Sequence, residues 1–360
     1  MFGYRRTFML RLGPNGIPLS CKGRTWLDAL QDVRNLELEA IEFQLLRVPL
    51  DEEIEDILRG RRPAVENGED IRKRAEELDI FIGTHAPYYM DLLGGEEDVQ
   101  RSFKYLKWSG HVAHEIGAQL VVTHVGYYND LSPKEAIDRA VVMLRKIRDY
   151  YRRRKFDLYL GIEVHGKQDL FGGFEEVLAV TKRISGTMPV VNFAHMHARG
   201  RGHFKRKEDF DGVLETLFRL GLPYVYTLFS GLEHDFEGNE LRFTPIKKGD
   251  MRFQPLAESL LDHADREIIV ISSSPLLEHD AQYMKVLIRR VEEKRFQKAN
   301  RIKAGSVEGA AASREDRKVP VPKKDPGKKS GTKSSGSKKD ADAGKGSDAK
   351  RSGKSGTKKA

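Results

Sequence analysis

Short runs rich in β-branched and aromatic residues recur along this chain, each followed by a longer segment with helical periodicity, and that alternation limits the folds open to it. The runs lie at 7–12, 40–45, 81–85, 120–124, 158–163, 189–193, 224–228 and 268–272. Between them are amphipathic stretches such as 96–116 and 133–154, the latter with Ser132 placed as an N-cap ahead of a proline at the first helical position. A last helix is expected to follow Pro275 and run to about residue 295. Eight strands, each followed by a helix within some 300 residues, predict a (β/α)8 TIM barrel. The alternative is an open doubly wound sheet, but no glycine-rich phosphate or dinucleotide motif follows the first strand.

The net charge of +9 suggests a basic protein, so its location matters. Of the 63 Lys and Arg residues, 16 lie in 305–360, as do 7 of the 54 Asp and Glu, which leaves 47 of each sign in residues 1–304. The body is formally neutral. The terminal stretch has no Leu, Ile, Phe, Tyr or Trp and is dominated by Lys, Gly, Ser, Ala and Asp. It cannot bury enough apolar surface to offset the entropy of ordering. The expected division is a barrel over 1–302 and a disordered Lys/Gly/Ser-rich tail over 303–360. Two roles are open for such a tail: solubility, or sequence-independent attraction to nucleic acid phosphates. A single cysteine, Cys21, rules out an internal disulfide framework, and no apolar run approaches the ~18 residues of a membrane span. The chain begins without the apolar stretch of a signal peptide. A cytoplasmic monomer is expected.

Barrel sites form where strands end at their carboxyl side. Those ends carry His85, His124, Glu163 and, just after the sixth strand, His195. A single strand-end histidine is ordinarily a hydrogen-bonded structural residue, whereas four metal-capable side chains on successive strands of one face suggest a metal site. His165, two residues beyond Glu163, shares its side of the strand and is either a further ligand, a partner of the ligands or a bystander.

Several segments resemble the endonuclease IV group of apurinic/apyrimidinic endonucleases, in particular its archaeal branch, within the xylose-isomerase-like TIM barrels. They are GPNGIPLSCKGRT (13–25), THAPYYMDL (84–92), GAQLVVTHVGYY (117–128), LGIEVHGKQDLFGG (160–173), VVNFAHMHARG (190–200), LFSGLE (228–233) and SSPLLEHDA (273–281). The resemblance implies a metal-dependent phosphodiesterase that cuts DNA at abasic sites with three zinc ions. On the matching positions, His85, His124 and Glu163 would hold the first metal, Glu163 would be the bridging, catalytic carboxylate, and His195 would serve a third metal. At five of nine ligand positions this chain instead has Asn192, Leu228, Leu241, Phe243 and Ser273. The full cluster is therefore not expected. One zinc or manganese ion at most fits the surviving His, His, Glu set, and a metal-free polar cluster is the alternative reading. A shift of the loop at 239–243 would let Glu240 or Asp250 reach the site.

The resemblance also places Arg47 and Tyr88 in DNA-contacting loops. The basic loop 197–207, with Arg199, Arg201, Lys205, Arg206 and Lys207, suits phosphate contacts, with ion pairing to Glu208 and Asp209 as the ordinary alternative. Tyr127 and Tyr128 are placed for stacking or for rim packing. Three functional readings follow: an endonuclease IV-like DNA-repair protein with reduced or lost activity, a non-catalytic nucleic acid-binding barrel, and a sugar isomerase or epimerase. The last is disfavoured on sequence because no second strong carboxylate is evident at the site.

Overall fold

The computed structural model describes the backbone of residues 10–315 and the side chains to residue 302. Eight parallel strands are arranged in the order β1 (Leu10–Pro14), β10 (Ile268–Ser272), β7 (Val225–Phe229), β6 (Thr187–Asn192), β5 (Tyr159–Glu163), β4 (Leu120–Thr123), β3 (Phe81–His85) and β2 (Ala40–Gln44). The first and last members of that order also meet: the Glu39 N–H donates to the Leu12 carbonyl at 3.0 Å, and Asn15 bridges Glu42 in parallel. The sheet therefore curls into the expected barrel.

Helices α1 (Trp26–Asn35), α2 (Asp51–Leu58), α3 (Gly68–Leu78), α4 (Glu96–Glu115), α5 (Pro133–Arg153), α6 (Phe174–Thr181), α7 (Phe193–Arg199), α8 (Lys207–Phe218), α9 (Phe253–Asp262) and α10 (Glu278–Glu315) connect the strands. Ser132 caps α5 as the sequence suggests: its hydroxyl accepts the Glu135 N–H while Glu135 reaches back to the Ser132 N–H. The last helix extends beyond residue 295, to Glu315. The chain divides into a unit over Met1–Lys303 and another over Ala304–Ala360. The disordered tail expected over 303–360 lies, from residue 316 onward, outside the described residues, as do residues 7–9 of the first expected strand.

Strand alternation sorts the core into two layers. Phe81, Leu120, Val122, Met188, Val190, Tyr224, Tyr226, Ile269 and Ile271 fill the barrel interior. Their neighbours, such as Phe43, Ile82, Val121 and Ile162, pack outward against the helices. Continuing the inward series upward by two residues brings Gln44, His85, His124, Glu163, Asn192, Leu228 and Ser273 into one layer at the carboxyl ends of the strands. The fold thereby supplies the site.

Two local features depart from the sequence reading. The sixth strand stops at Asn192 rather than at 193, because the Asn192 side-chain oxygen accepts the Ala194 and His195 N–H groups and starts α7. The stretch read as a loop after β7 is an antiparallel hairpin, β8 (Gly231–His234) with β9 (Glu240–Thr244). Its turn is braced by Asp235, whose carboxylate accepts the Asn239 N–H at 2.8 Å.

Candidate metal centre

Glu163 is the hub of the upper layer. One carboxylate oxygen lies 3.0 Å from His85 Nε2 and 3.7 Å from His124 Nε2, and the other accepts the Asn192 amide N–H at 3.0 Å and lies 3.4 Å from His195 Nε2. All these groups are buried. Burial alone would raise the Glu163 carboxyl's pKa, but His124, His195 and His85 together hold it well below the ordinary range, so it is ionised.

The donor set fits a divalent cation. One ligand atom each from His85, His124 and Glu163 can be drawn within 4.8 Å of the others. His85 Nδ1–H donates to the Ala86 carbonyl at 2.6 Å, which fixes the tautomer and turns Nε2 toward Glu163. His124 is held neutral: its burial, which lowers its pKa, outweighs the pull of Glu163. Its Nδ1 is buried without a hydrogen-bond partner among the described residues. A neutral imidazole in a polar, buried layer is poor economy for folding and suits a ligand.

His195 is differently placed and lies outside that three-residue group. Its Nδ1 contacts Glu240, delivered by β9, and this carboxylate is the residue that the sequence reading put just out of reach. Burial opposes protonation of His195, but Glu240 and Glu163 raise its pKa to about 9, and Glu240 in turn is held below the ordinary carboxylate value by His195 despite its own burial. The result is an imidazolium that donates from Nδ1 to Glu240 and forms an ion pair through Nε2 with Glu163 at 3.4 Å. Gly166 permits the approach: a Cβ there would come within 2.3 Å of Glu240 Oε2, and the Gly166 carbonyl accepts the Glu240 N–H at 3.0 Å. His165 stacks on His195 with ring centroids 5.3 Å apart, and its Nδ1 accepts the Lys167 N–H at 3.1 Å. Burial and the charge on His195 push its pKa down to about 4.

The substituted positions have other tasks. Leu228 belongs to the barrel core, Leu241 is exposed, and Phe243 packs its ring 5.4 Å from His195. Asn192 has its oxygen committed to the cap of α7 and only its N–H facing Glu163, so it offers no ligand atom. Ser273 keeps a buried hydroxyl without a partner among the described residues.

A second group, His197, His234 and Asp250, also brings ligand atoms within 4.8 Å. Its hydrogen bonds argue against a cation. His197 Nδ1 accepts the Phe204 N–H at 3.1 Å, so the neutral ring carries its proton on Nε2 and donates it to Asp250 at 3.0 Å. Both ring nitrogens are engaged.

Of the residues expected to contact DNA, Tyr88 lies at the centre, its exposed ring 4.5 Å from that of His85 and its hydroxyl donating to Gln44 at 2.6 Å. Arg47 is exposed and makes no ion pair among the described residues. Arg199 instead turns inward: its guanidinium donates to the Lys167 and Leu170 carbonyls and the Tyr128 hydroxyl, clamping the loop after β5. Arg201 donates to the Glu237 carbonyl at 3.4 Å, Arg206 pairs with Asp209, and Lys207 with Asp211 and Asp262. Tyr127 is exposed, and Tyr128 donates to Glu176.

Residues 30–286 match the family model described as the xylose isomerase-like TIM barrel. The chain belongs to that family. An uncharacterised protein of Methanocaldococcus jannaschii, MJ0133, is 28% identical over 283 residues, covering 77% of this chain and 96% of that protein. Among solved structures, an endonuclease IV from Thermus thermophilus is similar at TM-score 0.54 and 20% identity, covering 78% of this chain and 99% of that one. An L-ribulose 3-epimerase is similar at TM-score 0.57 and 14% identity, covering 82% and 98%. These likenesses show the shared barrel, and within it the chemistry has to be read from the site.

Proposed function

We propose that this family member is a metal-dependent isomerase or epimerase of a small sugar-like substrate that carries a hydroxyl beside a carbonyl. The observation that carries the reading is Glu240 at His195, the second carboxylate that the sequence alone did not supply. A divalent ion, zinc or manganese, held by His85, His124 and Glu163 would polarise a substrate oxygen. Glu240 is ionised and half-buried beside the layer, the state required of a base that takes a proton from carbon. His195, charged at neutral pH, faces the same space and offsets negative charge developing on the substrate. The neutral body and the engagement of Arg199, Arg206 and Lys207 with other protein groups favour a small substrate over a long polyanion.

The second reading is the endonuclease IV-like one, cleavage of DNA at abasic sites. It draws on the exposed Tyr88 over His85 and on Arg47, the two contacts that the resemblance implies, with Arg199 and Arg201 of the basic loop 197–207 as further candidates. One experiment compares the readings: protein loaded with manganese or zinc is offered a panel of ketohexoses in deuterated water and, separately, a duplex with one abasic site. Deuterium appearing at a sugar carbon, lost in Glu240→Gln, supports the isomerase. Duplex cleavage without exchange overturns it in favour of the nuclease. Neither reaction, in folded metal-loaded protein, overturns both catalytic readings.

A further inference from the structure

Behind β2, between the loop after it and helices α1, α3 and α4, lies a half-open cavity of about 870 Å³ that shares no residue with the metal layer except Gln44. Its size is that of a pocket for a small organic molecule. Its inner wall is aromatic: Trp26 stacks on Phe43 with centroids 4.7 Å apart, and Trp108 closes the buried end. Trp108 is 4% exposed, and its Nε1–H is sealed from solvent with no acceptor among the described residues, so its ring serves as apolar wall. At the exposed rim stand Arg24 and Arg47, and neither forms an ion pair among the described residues. Arg24 donates only to the Pro18 carbonyl, at 3.2 Å, and holds a left-handed backbone with φ of 60°.

We propose that this cavity is a binding site for a flat, apolar small molecule with an anionic group at one end. The ring lies against the apolar wall that Trp26 presents, and the anion meets Arg24 and Arg47 at the rim. The pattern is that of ligand pockets in general: mostly apolar walls with a few polar groups that fix orientation. None of the metal donors lines the cavity, nor does Glu240, so occupancy here is independent of the reaction proposed above.

The two tryptophans of the chain both line the cavity, so intrinsic fluorescence reports on it directly. The test titrates the full chain with 2-naphthoate and uncharged 2-naphthol. The expected result is a saturable change in tryptophan emission, about tenfold or more tighter for 2-naphthoate than for 2-naphthol. Arg24→Gln and Arg47→Gln, exposed changes that leave the core intact, should each weaken 2-naphthoate by about tenfold, the loss of one charge-assisted contact. No saturable response at millimolar ligand, or equal binding of 2-naphthol that the arginine variants leave unchanged, overturns the proposal.

Discussion

Asn192 donates its amide N–H to Glu163 at 3.0 Å while its oxygen caps the helix that carries His195. Replacing it with aspartate preserves the cap, since both residues serve there, but sets two carboxylates side by side. Asn192→Asp is therefore expected to lower the melting temperature of metal-free protein and to enlarge the stabilisation that added zinc or manganese produces. Differential scanning calorimetry with and without metal checks both. A variant with an unchanged metal response would show that position 192 does not face the ion.

Metal binding should be coupled to protons. In the metal-free site Glu163 outweighs the effect of burial and raises the His85 pKa, so a cation competes with a proton for Nε2. Zinc affinity, measured by competition with a chromophoric chelator, is expected to fall as pH drops from 8 to 6. Glu163→Gln should weaken it by more than about 100-fold, beyond what loss of an outer hydrogen-bond partner causes.

The His195 pair gives the metal-free protein an alkaline limb. A histidine raised from 6.5 to about 9 in the folded state contributes stability that is complete below pH 6.5 and lost as pH rises toward 9. Urea unfolding should show the midpoint falling across that window, and His195→Gln should flatten it. Glu240 works in the opposite sense: its pKa is lowered on folding, so its contribution is present above about 4.5 and disappears as pH falls below that.

Lower in the barrel, Tyr226 donates to Glu42 at 2.8 Å, and burial, aided by Glu163 and opposed by His85, Tyr226 and Gln44, raises that carboxyl to about 7. Removing the hydroxyl with Tyr226→Phe should cost about 1–3 kcal/mol, and more at pH 8 than at pH 5, because only the ionised carboxylate depends strongly on the lost donor. Equal losses at both pH values would indicate packing rather than charge.

His197→Gln tests the reading of the second histidine group. Loss of a ring held by Phe204 and Asp250 should lower stability by about 1–3 kcal/mol while leaving metal stoichiometry, measured by plasma emission spectrometry, unchanged. A drop in bound metal would make it a ligand after all.

Much of this was legible in the sequence because it depends on strand periodicity. Spacing two residues apart along β3, β4 and β5 puts His85, His124 and Glu163 above Gly83, Val122 and Gly161, so the inward layer can be read directly. Glu240 was not legible in the same way. Its position depends on a hairpin with a register shift between Glu233 and His234, and on the room left by Gly166 some seventy residues earlier, both tertiary facts. The basic loop misled for a related reason. Composition records that Arg199 is charged, but not that the carbonyls of 167 and 170 face it.

The ring of strands divides unequally around its axis. The ionisable groups of the metal layer come from the arc of β3 to β6 and the hairpin beyond β7, while the facing arc of β10, β1 and β2 gives that layer Ser273, Asn15 and Gln44, with Glu42 one layer below and Arg47 out at the rim. A molecule entering the mouth thus meets charge along one edge and uncharged hydrogen-bonding groups along the other. For the sugar-like substrate proposed above, that lopsidedness favours one orientation, with the coordinating oxygen toward the charged edge and the hydroxylated body toward the other.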